Sequence, residues 1–184
     1  MQLFRQNIDK VNMAKGIHTE LTFEQAIESS LLEHGGYAKG SSIDFEAQLG
    51  LFPKYIIEFL KASQPKSWEK LINTHKDEAE KKVVQRLIKE IDLRGILDVI
   101  RNGFTDYGVK FQMAYFKPES TLNPEAEALY LTNHLSVTRQ LYYERVGKNS
   151  IDMVLSLNGL PIATIELKNQ FSGQSVENAK KQYV

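Results

Sequence analysis

Apolar residues fall at helical spacing through much of the first half of the chain and at alternate positions through much of the second. The clearest periodicity lies in residues 77–92, DEAEKKVVQRLIKEID, where Val83, Val84, Leu87, Ile88 and Ile91 form one stripe. Asp77 and Glu78 suit the start of that helix, where backbone N–H groups leave partial positive charge. Thr22-Phe23-Glu24-Gln25 reads as a capping box, so a helix is expected to follow with Phe23, Ile27 and Leu31 inward and a stop at Gly35-Gly36. Pro53 marks a helix start before YIIEFLKA, and Ser67 is a candidate cap for a helix through WEKLI. Gly95 interrupts the chain before ILDVIRNG, a further helix with a glycine stop. Residues 37–50 read as a loop or short elements. A strand is expected over 108–116 and a short helix over 125–131. Three more strands are expected over roughly 134–144, 150–157 and 161–169, then a last helix from about Ser175. Helices followed by several strands and a helix predict an α/β or α+β domain with a mixed sheet.

The chain has 184 residues and a formal net charge of zero, with 42% hydrophobic residues, enough for one domain with a full core. Neutrality argues against a free-standing, nonspecific nucleic-acid binder, which is usually basic. There is no cysteine, hence no disulfide framework and no thiolate metal site. His18, His34, His75 and His134 are scattered without zinc-ligand spacing. No apolar run has transmembrane length and the first residues carry no signal sequence, so the expected location is the cytoplasm. Residues 1–18 are polar and poorly patterned and read as a loose arm.

The chemistry worth pursuing lies in SIDMVLSLNGLPIATIELKNQ, residues 150–170, a strand pair that carries Asp152, Glu166 and Lys168. On a strand Glu166 and Lys168 share a face, about 7 Å apart. Asp152 joins them only in one register. A two-residue Asn158-Gly159 turn pairs Leu157 with Leu160 and sets Asp152 opposite Ile165, on the wrong face. A three-residue loop ending on Gly159, or an equivalent bulge, sets Asp152 opposite Thr164 and diagonal to Glu166, and this is the expected arrangement. Two carboxylates can then hold magnesium while leaving room for water and a phosphate oxygen. The lysine can orient the water or neutralise developing charge. The reaction class is metal-assisted phosphodiester hydrolysis. An E-x-K triplet alone is weak evidence, since Glu80-Lys81-Lys82 is another, and an exposed hairpin face with ordinary surface charges is the competing reading.

IDMVLSLNGLPIATIELKNQFSGQSVENAKKQY resembles the nuclease core of the R subunit of type I restriction–modification enzymes, a member of the PD-(D/E)xK nuclease superfamily. Asp152 matches the motif Asp and Glu166-Leu167-Lys168 the E-x-K. TRQLYY at 138–143, FKPES and LNPE within 116–125, RGILDVIRNGF at 94–104 and FLKASQPKSWEKL at 59–71 resemble the same family, so the similarity runs from about residue 20.

The resemblance implies an α/β restriction-endonuclease-like core, a mixed sheet flanked by helices, within a single endonuclease domain over 1–184. Residues 53–104 would be a helical insertion, and 105–184 the sheet core and its following helix. It implies Mg2+ held by Asp152 and Glu166, with Lys168 acting on water or the transition state. It brings in Glu24 of the first helix near the metal, with Glu28 as the alternative, and Gln182 as the Gln of a Gln-x-x-x-Tyr element. The Tyr of that element would fall past Val184, so the chain is expected to be a fragment. ATP would be used only by motor domains outside this chain, and no Walker-type phosphate loop occurs in it. Double-stranded DNA and the methyltransferase and specificity subunits are the implied partners. Arg139, Lys148, Asn169, Lys180 and Lys181 are candidates for phosphate contacts. A docking module for the other subunits, built on the helices of 53–104, is the alternative from a different functional class.

Overall fold

A computed structural model describes residues 20–120, 122–143 and 149–167 of the chain. Helix α1 occupies 20–34 and stops where expected, with the Gly35 and Tyr37 N–H groups both bonded to the Leu31 carbonyl and Gly36 left-handed. Strand β1 (Ala38–Lys39) and a 3-10 turn (Ser42–Asp44) follow. Four helices come next: α2 (Pro53–Ser63), α3 (Pro65–His75), α4 (Ala79–Arg94) and α5 (Ile96–Asn102). The hairpin β2 (Phe104–Asp106) and β3 (Val109–Phe111) leads to α6 (Pro124–Leu131). The chain then forms β4 (Leu135–Tyr142), β5 (Ser150–Leu157) and β6 (Leu160–Ile165).

The main sheet runs β1-β4-β5-β6, with β1 parallel to β4 and the remaining pairs antiparallel, so the sheet is mixed as expected. Met153 and Val154, consecutive on β5, are both buried, which requires cover on both faces of the sheet. The expected strand at 108–116 is instead the short hairpin β2–β3, because Tyr107-Gly108 turns the chain with both residues at positive φ. This hairpin lies apart from the main sheet and is pinned to the helices. His75 Nε2 meets Asp106 Oδ2 at 3.0 Å, and Arg86 Nε donates to the Thr105 carbonyl.

The stripe on α4 is confirmed: Val83, Val84 and Leu87 are buried, while Ile88 and Ile91 pack at its margin. Its helix begins two residues later than expected, after a 3-10 turn at Lys76–Glu78. Ser67 does not cap α3. That helix opens at Pro65, and Gln64 before it turns its side chain to the backbone of Gln112 instead, donating at 2.9 Å and accepting at 2.8 Å. The first helix departs most from expectation. It is already helical at residue 20, so Thr22 is not its cap, and Phe23 is 56% exposed. The face turned inward carries Glu24 and Glu28, both buried.

The sheet and the helices share one core. Leu160 lies with Ile56, Leu60, Trp68, Leu71 and Leu87 in a single buried cluster that also takes in Phe104 and Phe111. The junction is the Asn158-Gly159 turn, which is buried against α2. Asn158 is fully enclosed: its side chain donates to the Met113 carbonyl (2.9 Å) and to Asn133 Oδ1 (3.0 Å) and accepts from the His134 N–H (2.7 Å). Its own N–H donates to the His134 carbonyl, and the Gly159 carbonyl accepts from Phe52. A turn tip with this many internal partners avoids the penalty of buried, unpaired backbone groups.

Gly159 takes φ 85°, and a Cβ there would lie 2.6 Å from both Ile56 Cγ1 and the Phe52 carbonyl oxygen. Gly108 has a similar φ of 78° but open space around it. Gly159→Ala is expected to destabilise the fold by at least about 3 kcal/mol, adding overpacking to backbone strain. Gly108→Ala should cost about 1–2 kcal/mol, from strain alone. Urea unfolding of the two variants measures the difference, and equal costs would contradict the docked turn.

Candidate active site

The hairpin register decides whether the acids of β5 and β6 meet. Asn158 and Gly159 both take positive φ, 52° and 85°, the signature of a tight two-residue turn, and Leu157 pairs with Leu160. The three-residue loop is therefore not formed. The alternative device is present: Ser156 pairs with Pro161 but Leu155 pairs with Ala163, so Ile162 is an extra residue on β6. Pro161 has no N–H for the ladder, and prolines inside sheets sit at edges or bulges. The bulge moves the register so that Val154 faces Thr164 and Met153 faces Ile165. The ladder ends there, so Thr164 does not lie opposite Asp152 as expected, and Glu166 comes just past the last paired residue of β6, next along in the direction of Asp152.

Asp152 lies within β5, and its side chain reaches the backbone just past the end of β6. Asp152 Oδ2 accepts the Leu167 N–H at 2.7 Å. Both acids are half-buried. Among the described residues no group of three or more His, Cys, Asp or Glu side chains is placed to form a metal cage. Two carboxylates alone suit a different kind of ion, one that keeps several waters and takes its remaining ligands from a phosphate, as magnesium does. Lys168, Asn169, Lys180, Lys181 and Gln182 lie outside the described residues, as does Lys148.

The first helix meets the sheet through charge. Arg139 on β4 donates from Nε to Glu24 Oε2 and from Nη1 to Glu28 Oε2, both at 3.1 Å. Gln140 Nε2 donates to the other oxygen of Glu24 at 2.8 Å, and Lys39 of β1 stands 3.6 Å from Glu28. Burial works against the Arg139 charge, but the hydrogen bonds to Glu28 and Glu24 outweigh it and raise its pKa above the usual arginine value. The two glutamates singled out on the first helix are thus both buried beside β4, and Arg139, the candidate phosphate contact, has its guanidinium committed to them.

Sequence reasoning missed Gln140 and the buried Asn158. Gln140 gave no signal beyond its place in TRQLYY. Asn158 was read only as a turn residue, although an Asn-Gly-Leu-Pro run between two apolar strands carries both the turn and the bulge.

An α/β domain with a mixed sheet and helices packed against it is the class of protein these features define. The chain belongs to the family of type I restriction enzyme R protein N-terminal regions: the model of that family, Type I restriction enzyme R protein N terminus, matches residues 17–184. Comparisons with curated proteins and with solved structures found no match.

Removing Arg139 leaves the buried Glu24 without a counter-charge and Glu28 with Lys39 alone. Arg139→Ala is expected to destabilise the domain by about 3–5 kcal/mol in urea unfolding. Lys82→Ala, which breaks an exposed pair with Glu78, should cost under about 1 kcal/mol. Similar small values for both would show that Arg139 does not hold the first helix.

Proposed function

We propose that this domain is the endonuclease of a type I restriction enzyme, built on a PD-(D/E)xK core and hydrolysing phosphodiester bonds of double-stranded DNA with Mg2+. The observation that carries the reading is the bulge at Ile162, which shifts the register so that Met153 pairs with Ile165 and brings their neighbours Asp152 and Glu166 into line at the end of the ladder. A pair of surface charges on an exposed hairpin would need no such device.

Asp152 and Glu166 would hold the ion through one carboxylate each. Magnesium supplies Lewis acidity and lowers the pKa of water at the scissile phosphate. Lys168, two residues after Glu166 in the E-x-K element, orients the attacking water or neutralises charge developing on the phosphoryl oxygens. The Leu167 N–H keeps Asp152 aimed toward β6 through its hydrogen bond to Oδ2. Gln182 is proposed to act from the segment that follows. Lys148, Asn169, Lys180 and Lys181 are the proposed phosphate contacts, positioning a duplex without reading its bases. Arg139 is instead held by Glu24 and Glu28. With zero net charge the domain relies on local contacts and on its complex to bring DNA. That complex would comprise the methyltransferase and specificity subunits and an ATP-driven motor outside this chain.

The docking reading rests on helices 53–104, most of whose apolar side chains turn to the chain's own core, with Ile72, Leu93 and Leu97 scattered singly on the outside. It has no specific observation in its favour.

Calorimetric titration of Mg2+ or Mn2+ tests the assignment. Wild type is expected to bind with a dissociation constant in the millimolar range or tighter, and Asp152→Ala and Glu166→Ala to abolish binding. Lys168→Ala should retain the ion but lose nicking of plasmid DNA in Mn2+. Binding that survives Asp152→Ala unchanged would sink the carboxylate pair as the metal site.

A further inference from the structure

Three irregularities of the fold coincide at one level of the sheet. Gln140 has φ 49° in the middle of β4, a left-handed conformation that is rare for a residue with a side chain and costly inside a strand. The β4–β5 ladder runs Arg139↔Met153 and Leu141↔Ile151 but skips the pair between them, Gln140 with Asp152. Arg139 and Gln140 then grip the two oxygens of the same carboxylate, Glu24. In a regular strand successive side chains point to opposite faces, so no ordinary backbone lets both reach α1. The left-handed residue turns the chain, and Leu141 after it packs with Val154 and Phe52 on the other side.

The Gln140 amide is bonded at both ends. Its Nε2 donates to Glu24, and its Oε1 accepts from Ser150 Oγ at 3.1 Å. Ser150 sits two residues before Asp152 on β5. One side chain therefore ties the first helix to the strand that carries the proposed metal ligand. Hydrogen bonds to a charged group are strong enough to offset backbone strain at such a residue.

We propose that Gln140 is a positioning residue for the Asp152–Glu166 pair. By bridging Glu24 and Ser150 it keeps β4 out of the ladder opposite Asp152. Asp152 is thereby left to the β6 side, where its carboxylate takes the N–H of Leu167, the residue after Glu166. Without the amide the strand relaxes to an extended form, the skipped pair closes, and Asp152 loses its aim. Gln140 touches neither the ion nor DNA in this role, and acts only through Asp152. The inference rests on the metal-dependent reading above.

The experiment is Mn2+ calorimetry together with thermal unfolding for wild type, Gln140→Gly, Gln140→Asn and Asp152→Ala. Glycine accepts the left-handed backbone without strain but removes the bridge, and asparagine tolerates it but is too short to span Glu24 and Ser150. Both are expected to keep the melting temperature within a few degrees. Both should weaken Mn2+ binding by about 10-fold or more, the usual effect of losing a group that orients a ligand. Wild-type affinity in either folded variant, alongside loss of binding in Asp152→Ala, overturns the role of Gln140 and leaves the carboxylate pair standing. No Mn2+ binding by wild type, or unchanged binding in Asp152→Ala, overturns the carboxylate pair and the role of Gln140 together.

Discussion

The enclosed side chain of Asn158 is the constraint on which the rest of this structure depends. A hairpin tip is normally the most solvated part of a sheet. Here it is driven into the helices, and Asn158 spends its polar groups on Met113, Asn133 and His134. Gly159 beside it admits Phe52 and Ile56 at a distance no side chain would allow. The contact fixes α2 to the sheet, lines up the segment 113–115 and the start of β4, and sets the zero point from which the β5–β6 register is counted. Were the tip free, slipping the hairpin by one residue would cost little. Docked, it has one register.

A second constraint is polar in a place where apolar packing is usual. Helix α1 meets the sheet through Glu24 and Glu28 against Arg139, Lys39 and Gln140. Such a seam is a weak source of net stability, because desolvation offsets much of the attraction. It is directional, though. Each carboxylate has defined donors, so the helix has one position along β4, whereas an apolar stripe tolerates sliding. The strained backbone at Gln140 is kept by the same contacts, which is why the irregularity lies here rather than anywhere else on β4.

The two devices act on β5 from opposite ends. The docked turn and the Pro161 bulge bring β6 to it in a shifted register. The α1 seam opens its pairing with β4 at Asp152. Both irregularities leave the middle of the sheet regular, where Met153 and Val154 are buried and ladder pairing is intact on both sides.

Sequence alone determined the local elements whose signal is local. The α4 stripe, the proline opening α2, the glycine stops after α1 and α5, and the mixed sheet could all be read from periodicity and from residues with restricted or permissive backbones. The candidate acids were legible too, since Asp152 and Glu166 stand out on apolar strands, and the need for a register shift followed from the period of two. Tertiary structure decided what depends on partners distant in the chain. Pattern reading turns Phe23 inward because it weighs hydrophobicity, but Glu24 and Glu28 are buried because Arg139, more than a hundred residues away, supplies their counter-charge. It reads Asn158 only as a turn residue because turn chemistry is local, while its burial depends on Met113 and α2. The shift came from a bulge beside Pro161 rather than a longer loop because the docked tip leaves no room for a third residue, so the register had to change further along the strand.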